Sequence, residues 1–527
     1  MSDTAPSRPA CRPAGRLASR LAALRGWRAS LAACGLGLLS ALALPPVHAV
    51  PVLLLSIPGL IVLAGAAPGW RRAAWLGFCW GWGHHLGGLY WITSAILIEA
   101  DRFWWLVPIA VPAVAVPLAL AMALPAAAAR LAAPGWPRLL AFAAVWVAAE
   151  MLRGVVLTGF PWNLLGSVWA FAALPLQGAS LVGVHGLSLL TVLLAGLPLL
   201  GRRAWAGGFA LVLAAGVFGF LRLQAADPPP QPWRVIVVQG NVQQDTKWRE
   251  DARWPIFNRY LNLTRAAVAQ PLPPGAPAGT RTVVAWPETA SPFLLGEDPV
   301  ASRLAGETLP PGGVLLAGSV RVEWGPDRRP EHVFNSMIAL DEAGRTLAAY
   351  DKSHLVPFGE YMPWRGLMPV RIVRGSMDFT PGRGPEAIAP GGLPPFGTLI
   401  CYEVIFPGAV VPAPRPDWLL NITNDAWFGA SAGPYQHLAA VRLRAVEEGL
   451  PIARAAQTGI SALVDARGRV LAHLGLGESG SLAALLPGRG RATLFSRLGL
   501  YLPGGLALLC LLAAVAGTIV MSRNERP

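Results

Sequence analysis

The sequence predicts a multi-span α-helical membrane domain joined to an α/β domain of layered type. Three observations lead there. Apolar residues are concentrated at 29–224 and again at 498–521. The segment between these blocks has the mixed composition of a water-soluble fold. Within that segment, short apolar runs alternate with helical patterns. Overall, 54% of the 527 residues are hydrophobic and only 14% are charged, against about 25% charged in a typical soluble domain.

The charge separates in the same way. The net charge is +14, but residues 228–496 hold 25 Lys+Arg against 23 Asp+Glu. The rest of the excess sits at the ends of apolar runs, where membrane-flanking arginines belong. This argues against a nucleic-acid partner, which needs a basic patch on the folded domain itself.

A bilayer-spanning helix needs about 20 mainly apolar residues. Candidates lie at 29–45, 49–67, 73–98, 104–129, 139–157, 172–200, 204–223 and 498–521. Arg8, Arg12, Arg16, Arg20, Arg25 and Arg28 precede the first. Arg71 and Arg72 follow the second, Arg130 and Arg138 the fourth, Arg202 and Arg203 the sixth, and Arg523 and Arg526 the last. Every second loop is thus the basic one, which places both termini in the cytoplasm and residues 225–497 outside. The first 49 residues also fit a signal peptide with a cleavage site at Val47-His48-Ala49, but the charge pattern works with the first helix retained. The expected organisation is a basic cytoplasmic N-terminus (1–28), about seven membrane helices (29–224), a Pro-rich linker (225–232), an extramembrane catalytic domain (233–496) and a closing transmembrane helix (498–521).

In the extramembrane domain, residues 234–239, 282–286, 314–320, 396–401 and 417–422 have the short, β-branched, apolar character of buried strands. Residues 337–350 predict a hairpin, and 436–448 an amphipathic helix. Three strand ends carry polar or reactive groups: Pro287-Glu288, Cys401-Tyr402-Glu403 and Asn424-Asp425. Strand ends are where open α/β sheets place their chemistry.

Two residue counts sharpen this. The chain has 41 arginines and only two lysines, Lys247 and Lys352. Where generic positive charge defaults to Arg, a lysine suggests a task that needs a compact ammonium. Cys401 is the only one of five cysteines (Cys11, Cys34, Cys79, Cys401, Cys510) in the extramembrane domain. That domain has no disulfide partner for it and no multi-cysteine metal site. A lone thiol facing an oxidising compartment is a liability unless it does something. It becomes a nucleophile with help from a base or a cation. Glu288 can be that base in a dry site, and a lysine can stabilise both thiolate and oxyanion.

Trp286-Pro287-Glu288, Asp351-Lys352-x-His354-Leu355-Val356-Pro357-Phe358-Gly359-Glu360-Tyr361 and Cys401-Tyr402-Glu403 resemble, in chain order, the Glu–Lys–Cys motifs of the nitrilase superfamily. The resemblance implies an αββα sandwich and a thioester on the cysteine. Domain order, with Gly159-Phe160-Pro161-Trp162-Asn163, Gln239-Gly240-Asn241, Lys247-Trp248, Asn424-Asp425-Ala426-Trp427-Phe428-Gly429 and Gln436-His437, narrows it to the apolipoprotein N-acyltransferase family. That family moves a fatty acyl chain from a phospholipid, typically phosphatidylethanolamine, to the α-amino group of a diacylated lipoprotein's first cysteine, at the bacterial inner membrane with the catalytic domain periplasmic. By this resemblance Glu288 is the general base, Cys401 the nucleophile and Lys352 the oxyanion stabiliser. Glu360 supports Lys352, while Tyr402 and Glu403 line the site. Trp248, Trp427 and Phe428 sit on mobile loops that meet lipid chains. No cofactor or metal is implied. A membrane-tethered amidase that releases its acyl group to water is the alternative.

Within the apolar block, Glu150 and Arg153 lie three apart on a helix and are placed to pair. His84 and His85 point about 100° apart and make a poor metal pair.

Overall fold

The computed structural model describes residues 15–363 and 377–524. Arg8, Cys11, Arg12 and Arg526 lie outside them, as does the first half of the expected basic N-terminus.

Each of the eight expected apolar segments contains a helix: Gly26–Ser40, Leu53–Gly65, Trp70–Gly88, Val107–Leu131, Trp136–Arg153, Ala179–Gly196, Arg202–Gln224 and Tyr501–Asn524. Among the described residues, five helical stretches are long and apolar enough to cross a membrane. Trp70–Gly88 is long enough but carries two arginines and two histidines, and Trp136–Arg153 carries two arginines and a glutamate. The expected span 73–98 divides at Gly88, and Ile92–Leu97 forms a separate short helix. Likewise 172–200 starts its main helix only at Ala179.

Glycine brings the helices into contact. A Cβ on Gly37 would stand 1.9 Å from the Trp80 carbonyl oxygen, and one on Gly83 would stand 2.1 Å from that of Cys34. Helices Gly26–Ser40 and Trp70–Gly88 therefore touch backbone to backbone, the small-residue packing that works where lipid offers no hydrophobic drive. Gly77 does the same on the other side, where a Cβ would meet the Met122 carbonyl at 2.4 Å. Polar groups inside this bundle find local partners. Glu150 and Arg153 do not form the expected ion pair. Glu150 accepts from Trp146 Nε1 and the Leu165 amide and faces His185 at 3.5 Å. Arg153, in the last helical turn, donates to the carbonyls of Trp162 and Phe160 in the loop beyond. His84 and His85 each find a neighbour, Ser40 Oγ and the Gly81 carbonyl.

The second domain is built from strands β1 (Trp233–Gln239), β2 (Arg281–Trp286), β3 (Val314–Trp324), β4 (Pro330–Leu340), β5 (Thr346–Asp351), β6 (Ala387–Ile388), β7 (Phe396–Ile400), β8 (Trp418–Thr423), β9 (Ile452–Ala456), β10 (Ser461–Val464), β11 (Val470–Leu474) and β12 (Gly480–Leu485). They form two six-stranded sheets, β12-β1-β2-β3-β4-β5 and β11-β10-β9-β8-β7-β6. In each, three strands run parallel (β1-β2-β3 and β7-β8-β9) with antiparallel neighbours outside. Alternation along a strand sorts its residues between two faces. Trp233, Val235 and Val237 join Phe396, Trp418, Leu420 and Ile422 between the sheets. Ile236 and Val238 instead pack outward on Phe257, Tyr260 and Leu261 of helix Arg253–Val268. Leu399, Leu419 and Ile452 pack outward on Val441 and Ala445 of helix Gly433–Glu448. The result is helix, sheet, sheet, helix: the αββα sandwich.

The expected amphipathic helix 436–448 forms as Gly433–Glu448, but it does not turn its polar face to solvent. Instead its outer face carries Ala439, Leu443 and Val446, which pack on Leu164, Leu176, Val184 and Leu187 of the helical domain. Its polar residues are buried too. Arg444 pairs with Glu447 at 2.7 Å, and Glu447 accepts from the Val184 amide at 2.6 Å. This helix is shared by both domains.

The glycine contact gives a direct test. Gly83→Leu is expected to destabilise the protein in detergent by about 1–3 kcal/mol, the usual cost of overpacking, or to prevent folding. Gly35→Leu, where a Cβ meets nothing within 4 Å, is expected to leave the thermal midpoint unchanged.

Candidate active site

The site forms where strand ends from both sheets converge. Glu288 follows β2, Lys352 follows β5, Cys401 follows β7 and Asn424 follows β8. In the first sheet, β5 runs parallel to β3 because β4 is antiparallel to both. Glu288 and Lys352 therefore leave the same edge.

Lys352 is 1% exposed. Its Nζ donates to Glu360 Oε1 at 2.9 Å and to Glu288 Oε1 at 3.4 Å. Asn335, in the middle of β4, donates through Nδ2 to the same two oxygens at 2.8 and 2.6 Å. The remaining carboxylate oxygens are bound by main chain: Asn424 N donates to Glu288 Oε2 at 2.7 Å, and Val356 N to Glu360 Oε2 at 2.8 Å. Two carboxylates thus flank one ammonium, and each oxygen has a donor. Burial alone would lower the affinity of Lys352 for its proton, but Glu360, then Glu288 and Cys401, reverse this and hold it well above the usual lysine range.

Cys401 was expected to close the strand 396–401, yet β7 stops at Ile400. The backbone turns at Cys401 into a short 3-10 helix, Cys401–Ile405, with φ of +52°. A non-glycine residue in the left-handed region is strained. Such a turn lifts the side chain off the sheet, as the nucleophile turn of hydrolases does. Two anchors hold it. His437 Nε2 donates to the Cys401 carbonyl at 3.1 Å, while its Nδ1 faces Asp425 Oδ1 at 2.9 Å. Arg454 donates to Asp425 Oδ2 at 2.5 Å. Burial opposes the charge on Asp425, but Arg454 and His437 outweigh it and hold its carboxyl down at about 2. The second anchor is Glu403. Its Oε1 accepts from Tyr350 Oη, Ser353 N, Ser353 Oγ and His354 N, and its Oε2 from Ile400 N. Glu403 therefore ties the Cys401 turn to the segment that begins at Lys352. Burial, then the charge of Glu288, push the Cys401 thiol well above the usual range, against the pull of Lys352.

The other expected residues are placed as follows. Tyr402 turns toward the helical domain, donating to the Gly159 carbonyl at 2.6 Å. Trp248 is half exposed on the loop after β1. Trp427 is half-buried in the turn Asp425–Phe428. Phe428 is packed rather than presented on a free loop: its ring lies 4.5 Å from Trp91 and 5.6 Å from Trp162. Both of those indoles donate to Gln436 Oε1. Asn335 escaped the sequence reading. A buried Asn within the apolar stretch of β4 was the available signal, because a polar side chain there needs partners. Lys247 also reaches the site, as developed below.

Comparison with known proteins agrees with this architecture. Residues 36–197 match the family model described as the apolipoprotein N-acyltransferase N-terminal domain, and residues 234–493 match the carbon-nitrogen hydrolase model. Relatives named apolipoprotein N-acyltransferase include one from Rhodopseudomonas palustris, 38% identical over 97% of this chain and 98% of its own. Another, from Brucella melitensis, is 39% identical over 97% and 99%. A third, from Allorhizobium ampelinum, is 41% identical over 88% and 91%. Among solved structures, an amidase from Nesterenkonia sp. is similar over 50% of this chain and 93% of its own, at 20% identity and a TM-score of 0.33. With both domains matched and relatives of this identity along nearly its whole length, the chain belongs to the apolipoprotein N-acyltransferase family of membrane acyltransferases.

Proposed function

We propose that this chain N-acylates lipoproteins by a two-step transfer through a thioester on Cys401. The observation that carries this reading is the buried Lys352 ammonium held between Glu288 and Glu360, with Lys352 and Glu288 both acting on the Cys401 thiol. In the first step Glu288 takes the thiol proton as sulfur attacks the ester carbonyl of a phospholipid. Lys352 stabilises the oxyanion. The ester C–O bond breaks, the leaving alkoxide takes the proton back from Glu288, and a lysophospholipid departs. In the second step the α-amine of a diacylated N-terminal cysteine attacks the thioester. Glu288 accepts the amine proton, the C–S bond breaks, and the proton passes to the leaving thiolate. Glu360 and Asn335 position Lys352 and Glu288 throughout.

The donor in this reading is a phosphatidylethanolamine-type phospholipid. The helices cross the inner membrane several times, and the hydrolase-type domain faces the periplasm with both termini cytoplasmic. The alternating arginine loops support that orientation. Both substrates are lipid-anchored, so an enzyme in the same bilayer meets them by lateral diffusion. The half-exposed Trp248 is suited to lipid contact.

The test is product analysis with purified protein in phospholipid vesicles. Without acceptor, lysophospholipid is expected to stop at about one per enzyme, the signature of a covalent intermediate. A diacylated lipopeptide is expected to make its release continuous and to gain one acyl mass. Continuous release of free fatty acid without acceptor would contradict transfer and favour an amidase-like hydrolase.

A second prediction separates base from thiolate. Because the negative charge of Glu288 raises the thiol pKa, Glu288→Gln is expected to lower it. Iodoacetamide alkylation of Cys401 should then begin at lower pH than in the wild type. Acylation should nevertheless fall by about 10²–10⁴-fold, because the general base is gone. Alkylation that begins at higher pH in Glu288→Gln would contradict this assignment.

A further inference from the structure

Lys247 is the second of only two lysines, and the transfer steps above do not use it. It is 3% exposed, yet its partners are neutral oxygens. Its Nζ donates to Thr289 Oγ1 and to the main-chain carbonyl of Glu288 at 3.3 Å. Burying an ammonium with only neutral acceptors is costly, so the position demands a reason.

The turn it holds is the one that presents the catalytic carboxylate. Thr289 has φ of +45°, a strained backbone for a β-branched residue. On one side the turn is jammed against β3, where a Cβ on Gly318 would stand 2.1 Å from the Pro287 carbonyl and 2.6 Å from Glu288 Cα. Lys247 grips the same turn through the Glu288 carbonyl and the Thr289 hydroxyl. The Lys247 loop is itself fixed to the site, since Gln244 Oε1 accepts from Asn424 Nδ2 while Asn424 N binds Glu288. The loop's outer side, with Trp248, Glu250, Arg253 and Pro292, lines a cavity of about 280 Å³.

Its charge also reaches the reacting groups. Burial lowers the Lys247 pKa to about 8, while Glu288 and Cys401 both act to raise it. Such coupling is mutual, so its ammonium favours the thiolate form of Cys401. The titratable and charged groups around it are Glu288 and Cys401 on the strand ends, Lys352 and Glu360 beyond Glu288, and Glu250 and Arg253 along the cavity.

We propose that Lys247 is a positioning residue for acyl transfer, fixing the Glu288–Thr289 turn through its backbone and supplying the site with a second buried positive charge. This rests on the reading of Glu288 as general base and Cys401 as nucleophile. Arginine cannot replace it fully, because a planar fork does not fit between one carbonyl and one hydroxyl.

The experiment is the pH profile of Cys401 acylation by phospholipid vesicles, followed by intact mass, for the full-length wild type, Lys247→Met and Lys247→Arg. Lys247→Met is expected to acylate about 10- to 100-fold more slowly, the range seen when a reacting group is misplaced. Its acid limb should move to higher pH, because the site loses one of its two buried ammonium groups. Lys247→Arg is expected to restore the limb but only part of the rate. An acid limb at the wild-type pH in Lys247→Met, whatever its rate, would overturn the proposal. If Lys247→Met does not fold, Thr289→Val decides: several-fold slower acylation with an unmoved limb supports the grip on the turn, and a wild-type rate overturns it. Failure of the wild type to form any adduct would instead sink the thioester reading on which the inference rests.

Discussion

Lys352 places one ammonium between two carboxylates in a site with little water to screen them. Such a buried cluster is stable only if each remaining lone pair has a donor. Asn335, the Asn424 amide and the Val356 amide supply them. These donors come from β4, from the end of β8 and from the segment after β5, so the cluster closes only when both sheets are in register. Removing one partner of a buried pair typically costs about 3–5 kcal/mol, a large part of the about 5–15 kcal/mol that holds a domain folded. The charges of this site are therefore also fold-specifying contacts, and variants that alter them need a folding control.

Burial and the neighbouring Glu288 hold the Cys401 thiol above its usual range. In the proposed mechanism this suits a general base, because a thiolate formed in advance would have no proton to give. The strain at Cys401 is held from two directions, by the Arg454–Asp425–His437 chain at its carbonyl and by Glu403 across the turn. His437 lies on helix Gly433–Glu448, which is also packed on the helical domain. Gln436, one residue earlier, binds Trp91 and Trp162 of that domain. The same helix thus fixes the Cys401 backbone on one side and seats the hydrolase-type domain on the apolar helices with the other.

The strands that carry the site were legible because their apolar runs end abruptly in Glu288, Cys401 and Asn424, and a change from apolar to reactive is a local signal. The two lysines stood out against forty-one arginines, although the sequence did not say where Lys247 would point. Helix 433–448 was half legible. Its period showed one apolar face, but nothing local distinguishes a face bound for water from one bound for another domain. Asn335 and the five donors to Glu403 are tertiary matches between distant segments, which no window of sequence contains. The division of 73–98 at Gly88 was missed because a hydrophobic tally does not register where a helix breaks.

The most direct measurement is intact mass of the purified protein after exposure to phospholipid, with peptide mapping of the adduct, for the wild type, Glu288→Gln and Lys352→Met. The account predicts one acyl group on Cys401 in the wild type and almost none in either folded variant. Wild-type adduct levels in both variants, or an adduct mapped to a residue other than Cys401, would contradict it.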